Sequence, residues 1–192
     1  TRDYYKVNLN GKKLQRLTFG NFNHNFINAS PNSEYFITTY GNSSTPNKMT
    51  LVNNNGKIIK ELGDAKGAEY DNYNVAKTEI IRVKSDDDLY DLPMKITWPL
   101  TMKAGKKYPV LISIYGGPNA GTVNEGFTLG GTQQWYAKEG LIQVAMDHRA
   151  SGHFGKEGVN YMYHNLGDWE LKDYATMVKW LVANGSADAK KI

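Results

Sequence analysis

Up to about residue 75 the apolar positions come in short β-branched or aromatic runs broken by Asn, Gly, Ser and Pro, the punctuation of an antiparallel meander. Tyr4 to Leu9 and Lys13 to Thr18 flank Asn10-Gly11, which predicts a hairpin closed by a type I′ turn, with positive φ at both central positions. Glu34 to Tyr40 is the next predicted strand, reached through the turn Ser30-Pro31-Asn32-Ser33. Lys48 to Asn53 and Lys57 to Leu62 flank a second Asn-Gly pair at Asn55-Gly56. The two hairpins can be laid on each other: Val7, Asn8, Asn10, Gly11, Lys12 and Leu17 fall on Val52, Asn53, Asn55, Gly56, Lys57 and Leu62. Asn-Gly-Lys is common turn chemistry, so chance likeness is the alternative. The 45-residue offset is close to the length of one four-stranded propeller blade. Residues 1–75 are thus expected to hold the end of one blade and one further blade. A lone blade leaves both sheet faces without neighbours, so it is not a whole propeller.

From Thr78 the pattern changes, and residues 76–192 are expected to form a second domain. Thr78 to Val83 and Met94 to Trp98 read as strands joined across Ser85-Asp86-Asp87-Asp88. Tyr108 to Tyr115 is nearly all apolar or β-branched, the habit of a parallel strand buried on both faces. Thr132 to Lys138 reads as a short helix with Thr132 as its cap and Gly140 as its stop. Leu141 to Met146 is a second continuous apolar strand, and it is expected to border the sheet's open edge. Leu171, Tyr174, Ala175, Val178, Leu181 and Val182 recur at helical spacing, with Lys172, Asp173 and Lys179 elsewhere on the wheel. Asp168 stands where an N-cap or a first-turn acid would help the macrodipole and Asn184-Gly185 where a C-cap would be, and Ala189 to Ile192 looks like the start of another strand. Helices between buried strands build a covered parallel sheet through right-handed crossovers. The expected fold class is α/β, a partial α/β-hydrolase sheet preceded by antiparallel propeller strands.

Composition narrows the function classes. Hydrophobic residues are 40% of the 192 and charged residues 22%, enough for a packed core. Lys plus Arg is 23 against Asp plus Glu 19, a net +4 that no basic run concentrates, so neither nucleic acid nor an acidic membrane is the expected partner. With no Cys, disulfides and thiolate catalysis are excluded. No apolar run approaches the ~18 residues of a membrane span, and Thr1-Arg2-Asp3-Tyr4 reads as the start of a piece rather than as a signal peptide.

The candidate chemistry lies where the buried strands end. The strand after Tyr108 runs into Tyr115-Gly116-Gly117-Pro118, at the carboxyl end where open α/β sheets place ligands. The Tyr115 phenol could be aimed at a developing negative oxygen; equally, Tyr115 could cap the core and Gly-Gly-Pro be only a turn. The Asp86-Asp87-Asp88 run lacks the alternating ligands of a calcium loop and is expected to be a solvated turn. His148 and His153 are five apart in a Gly-rich loop, which is no zinc spacing, and neither they nor His24 and His164 have a credible nucleophile. No metal and no cofactor are expected. Asp147 and Arg149 read as a structural ion pair or as loop hydrogen bonds, in a place that leaves an active-site contact open.

Three motifs in order resemble the prolyl oligopeptidase family of serine peptidases, most closely its dipeptidyl peptidase IV-like branch. They are Lys106-Lys107-Tyr108-Pro109-Val110 leading to Tyr115-Gly116-Gly117-Pro118, then Asp147-His148-Arg149-Ala150-Ser151-Gly152, with Ala150 where the family has Gly, then Asn165 to Asp173. The resemblance implies a hydrolase releasing dipeptides from peptide N-termini, often after Pro or Ala, with Tyr115 supplying an oxyanion-hole hydroxyl. It also implies a peptide as partner, a secreted or periplasmic setting and room for a homodimer of the longer protein. No Gly-x-Ser-x-Gly occurs in these residues. The family's nucleophile is therefore expected beyond Ile192, with the acid and the His later still, so the chain alone is expected to be inactive. An acylaminoacyl peptidase or carboxylesterase on the same fold, and a noncatalytic binding module, are the alternatives.

Overall fold

The computed structural model describes residues 2–192. They form two compact units: residues up to Tyr73 with Glu125–Thr128, and Asn74–Asn124 with Leu129–Ile192.

The first unit contains β1 (Tyr5–Lys6), β2 (Gln15–Arg16), β3 (Asn23–Ala29), β4 (Tyr35–Asn42), β5 (Thr45–Asn53) and β6 (Ile58–Asp64). β3 to β6 make a four-stranded antiparallel meander, and β1–β2 is a separate hairpin. The 45-residue offset recurs in the pairing register. Tyr5 faces Arg16 and Lys6 faces Gln15, just as Thr50 faces Glu61 and Leu51 faces Lys60. The hairpin β1–β2 thus matches the outer two strands of the blade that follows it.

The turns themselves are not type I′. The Gly11 N–H donates to the Asn8 carbonyl (2.8 Å) and the Asn8 N–H to the Lys12 carbonyl (3.0 Å); Gly56, Asn53 and Lys57 repeat both bonds at 3.0 Å. Only the glycines take positive φ, 75° at Gly11 and 84° at Gly56, while Asn10 and Asn55 do not. This is the longer hairpin loop that ends in a glycine bulge, and its extra residue relieves Asn of the left-handed conformation. The repeat differs in packing. Leu17 is 5% exposed among Phe36 and Val52, while its counterpart Leu62 is 43% exposed, because only the first hairpin has a second sheet to lie against among the described residues.

The second unit contains β7 (Thr78–Lys84), β8 (Asp91–Thr97), β9 (Val110–Ser113), α1 (Gly131–Lys138), β10 (Ile142–Met146), α2 (Gly155–Asn160) and α3 (Trp169–Ala183). Its sheet runs β7-β8-β10-β9, antiparallel except for the parallel pair β10–β9. Met94, Ile96, Ile142, Val144 and Met146 pack with Met177 and Leu181 of α3 in one core. On the opposite face the Gln133 side chain of α1 donates to Thr97 Oγ1 (2.8 Å), and that of Gln143 donates to the Gln133 carbonyl (2.9 Å). The fold class is therefore the one expected, a mixed α/β sheet preceded by antiparallel blade strands.

Several details depart from expectation. β9 is shorter than Tyr108 to Tyr115, and its second face is open, with Leu111 44% exposed. β10 is not at the edge: the crossover through α1 sets it between β8 and β9, so β9 borders the sheet. The segment near the chain end covers part of that border. The Tyr108 N–H donates to the Ser186 carbonyl (2.8 Å), the Asp188 N–H to the Tyr108 carbonyl (2.8 Å) and the Val110 N–H to the Lys191 carbonyl (2.9 Å). Helix α1 starts at Gly131 after Gly130 rather than at a Thr132 cap; Asp168 does stand at the N-cap position of α3, but its carboxylate holds Lys172 Nζ at 3.0 Å and makes no capping bond. The buried stripe of α3 is Glu170, Asp173, Met177 and Leu181, whereas Leu171 is exposed.

Candidate active site

Two loops leave the parallel pair at its carboxyl end. The first follows β9. Gly116 has φ 85°, and a Cβ at Gly117 would lie 2.6 Å from the Tyr115 ring, so the ring folds over a position only glycine can fill without a shift. Tyr115 itself is 71% exposed. It does not cap the core. The second loop, Asp147 to Gly152, follows β10 and is buried through Ser151. The two are joined where the Asn119 N–H donates to the Ala150 carbonyl (3.0 Å).

Asp147 and Arg149 do not pair with each other. Asp147 Oδ1 accepts the Thr122 N–H and hydroxyl, both at 2.9 Å, and Oδ2 accepts the Val123 N–H at 2.6 Å and meets His153 Nε2 at 2.8 Å. Burial alone would raise this carboxyl, but the His153 and loop bonds outweigh it and hold it below the usual carboxylate range. Arg149 turns the other way. Its Nη2 lies 2.7 Å from Asp173 Oδ1 and its Nη1 2.6 Å from Asp87 Oδ2, and its guanidinium sits 4.2 Å from the Trp169 ring centroid, with Tyr90 and Tyr161 at 4.9 and 4.8 Å. The acidic run is therefore more than a solvated turn: Asp87 fastens the β7–β8 hairpin to this cation.

The histidines have structural places. His24 Nδ1 meets Thr38 Oγ1 at 3.0 Å and Nε2 the Phe19 carbonyl at 3.1 Å, with Tyr40 stacked on the ring; burial pushes its pKa down. His148 Nδ1 accepts the Ala150 N–H (3.1 Å), and its buried Nε2 has no hydrogen-bond partner among the described residues. His164 stands on the surface with φ 53° against Tyr163. Ser151, buried, spends its hydroxyl on the His148 carbonyl (2.7 Å). Among the described residues no three His, Asp or Glu side chains converge as a bound metal would require.

A sequence model of the prolyl oligopeptidase family matches residues 127–192. Prolyl endopeptidase FAP of Bos taurus is 30% identical over 156 residues, covering 81% of this chain and 19% of that protein. A probable dipeptidyl-aminopeptidase B of Ajellomyces dermatitidis is 28% identical over 185 residues, 93% of this chain and 20% of that one. The chain belongs to the prolyl oligopeptidase family. Its likeness lies with the dipeptidyl peptidase IV-like branch. The structure of Porphyromonas gingivalis dipeptidyl peptidase 4 superposes with a TM-score of 0.83 at 24% identity, over 98% of this chain and 27% of that one, which establishes the fold. This prolyl oligopeptidase family chain spans about a fifth of the length of the curated relatives it matches. What sequence reasoning missed was Asp173 as the partner of Arg149. An acid at helical spacing reads as a solvated face until a buried cation is placed opposite it.

Proposed function

We propose that this chain is part of a serine exopeptidase that releases dipeptides, often after Pro or Ala, from peptide N-termini, and that the Tyr115 hydroxyl is one donor of its oxyanion hole. In this reading residues 1–75 close a propeller domain and residues 76–192 open the peptidase domain. The observation that supports it is the exposed phenol of Tyr115, standing past the carboxyl end of β9 over a Gly-Gly turn. In the reaction a serine oxygen attacks the scissile carbonyl carbon, its proton passes to a histidine, and the carbonyl electron pair moves onto oxygen. The phenol O–H donates to that oxygen. Collapse of the intermediate breaks the C–N bond, the amine leaving with the proton from the histidine, and water then hydrolyses the serine ester to free the dipeptide. One such preorganised donor contributes ~3 kcal/mol to the transition state. The serine is expected roughly five to nine residues beyond Ile192, where a strand of ordinary length would end, with the acid and histidine later.

The test is to read the coding sequence past Ile192, express the longer protein and compare Tyr115→Phe with wild type on a Xaa-Pro chromogenic dipeptide. The expected result is a fall in kcat of about 10²-fold to 10³-fold with little change in KM. A variant as fast as wild type overturns the role of Tyr115. Turnover by the purified 192-residue chain overturns the downstream nucleophile.

A further inference from the structure

Between β9 and α1 the chain runs from Ile114 to Gly130 without regular structure, and Tyr115 lies near its start. An irregular segment of that length needs anchors if one of its side chains is to keep a fixed position. One end is held by β9. The middle is held by the bond from Asn119 to the Ala150 carbonyl. On the far side the Asp147 carboxylate takes two backbone N–H groups and one hydroxyl from Thr122 and Val123, and Lys95 Nζ donates to the Asn124 carbonyl at 3.3 Å.

We propose that Asp147, steadied by His153, is the positioning residue of the loop that carries Tyr115. This rests on the reading of Tyr115 given above and adds to it the means by which the phenol is kept in place. Two independent observations point the same way. The first is residue choice at Gly121, the loop position that crosses the pair. A Cβ there would lie 3.0 Å from His153 Nε2 and 3.3 Å from Asp147 Oδ2, so glycine lets the backbone come down onto them. The second is that the neighbouring cation Arg149 does not draw on this carboxylate, being engaged by Asp173 and Asp87.

The groups that face Asp147 are few. β8 meets its backbone through the Pro93 carbonyl, α3 presents Tyr174, and the loop after β10 presents His153. His148, its chain neighbour, turns its ring onto Tyr174. Protonating Asp147 removes the charge that its three loop donors share.

The experiment is hydrogen exchange of the 192-residue chain, read by mass spectrometry in wild type, Asp147→Asn, His153→Ala and Tyr115→Phe. Asp147→Asn is expected to speed exchange over residues 116–124 by about tenfold or more, the effect of losing one charge-assisted bond, while β10 and α3 keep their wild-type rates. His153→Ala shifts the same segment in the same direction by less, and Tyr115→Phe leaves it unchanged. In wild type, exchange corrected for intrinsic chemistry rises in the loop only as acid passes below the usual carboxylate range, where Asp147 takes up its proton, and Asp147→Asn flattens that rise. Should Asp147→Asn fail to fold, the wild-type acid profile and His153→Ala decide. Loop rates that ignore both variants and acid overturn the proposal, as does Tyr115→Phe loosening the loop by itself. A loop that responds as stated while Tyr115→Phe keeps full kcat in the longer enzyme leaves Asp147 as the anchor and removes only the catalytic reading.

Discussion

Arg149 and Asp173 form a two-pronged ion pair in which each side chain is 1% exposed, Nη2 to Oδ1 at 2.7 Å and Nε to Oδ2 at 2.9 Å. The Arg149 backbone N–H adds a third bond to Asp173 Oδ2, also at 2.9 Å, so helix α3 is fastened to the loop after β10 through both main chain and side chain.

Breaking that pair should be costly. Asp173→Ala leaves a buried guanidinium with Asp87 as its one remaining carboxylate, and loss of one partner from a buried pair typically costs about 3–5 kcal/mol. Asp87→Asn should cost less, because the Asp87 side chain is 28% exposed and partly solvated. Urea unfolding followed by tryptophan emission checks both. All four Trp residues lie in the second unit, and Trp169 stacks on the guanidinium itself. Equal midpoints for Asp173→Ala and wild type would refute the prediction.

Asp87 also sets a pH dependence. Its burial opposes ionisation, but bonds from Arg149 and Ser85 hold its carboxyl at about 2, against an ordinary 3.8. The unfolded chain therefore takes up this proton first as acid is added. The stability Asp87 contributes is complete above the ordinary value and is lost as pH falls from 3.8 towards about 2. Urea midpoints of wild type and Asp87→Asn should differ at pH 5 and converge at the acid end. A constant gap across that window would mean the carboxylate is not what the guanidinium feels.

Much of this architecture was legible in the residues, for reasons that also explain what was not. The Asn-Gly offset survived into strand register because the turn chemistry and the strand lengths are both local. β3 was invisible because Asn23, His24, Asn25 and Asn28 make a polar string, and only tertiary partners such as Thr38 and the Phe19 carbonyl satisfy buried His24. α2 carries two glycines, which argues against a helix. Gly158 is there because a Cβ would stand 2.2 Å from the Arg149 carbonyl oxygen, a constraint set by another part of the chain. At the candidate site, Tyr115 was marked by its place after an apolar strand. The bonds of Asp147 to Thr122 and Val123, and those of Arg149 to Asp173 and Asp87, join residues 24 to 62 apart and leave no periodic trace.

The two equivalent hairpins give an internal comparison. Gly11 and Gly56 both sit at positive φ, so Ala at either position bears the left-handed strain of about 1 kcal/mol. A methyl group added at Gly11 would have nothing within 4 Å, whereas one added at Gly56 would stand 3.0 Å from the Leu17 carbonyl oxygen. Gly56→Ala should therefore destabilise the first unit more than Gly11→Ala does. Thermal melts followed by the near-ultraviolet signal of its tyrosines would rank the two variants, and the reverse order would refute the packing of the first hairpin on the blade.

The border of the second sheet gives the last prediction. Three main-chain bonds from Tyr108, Asp188 and Val110 tie the segment 186–191 to the strand side of β9, each of the kind that contributes ~1 kcal/mol. Shortening the chain to end at Gly185 removes these partners and leaves β9 with free N–H and C=O groups beside an exposed Leu111. A bare strand edge with an apolar side chain beside it is a template for pairing with another chain. The shortened chain should therefore sediment as larger species with rising concentration, more so than the chain of 192 residues. Adding Leu111→Lys to it should reverse this, because a charge on an edge strand opposes stacking of a second copy without touching the core face that Val110 occupies. A shortened chain that stays monomeric at every concentration would show that residues 186–191 contribute local order alone and that β9 is protected by something else.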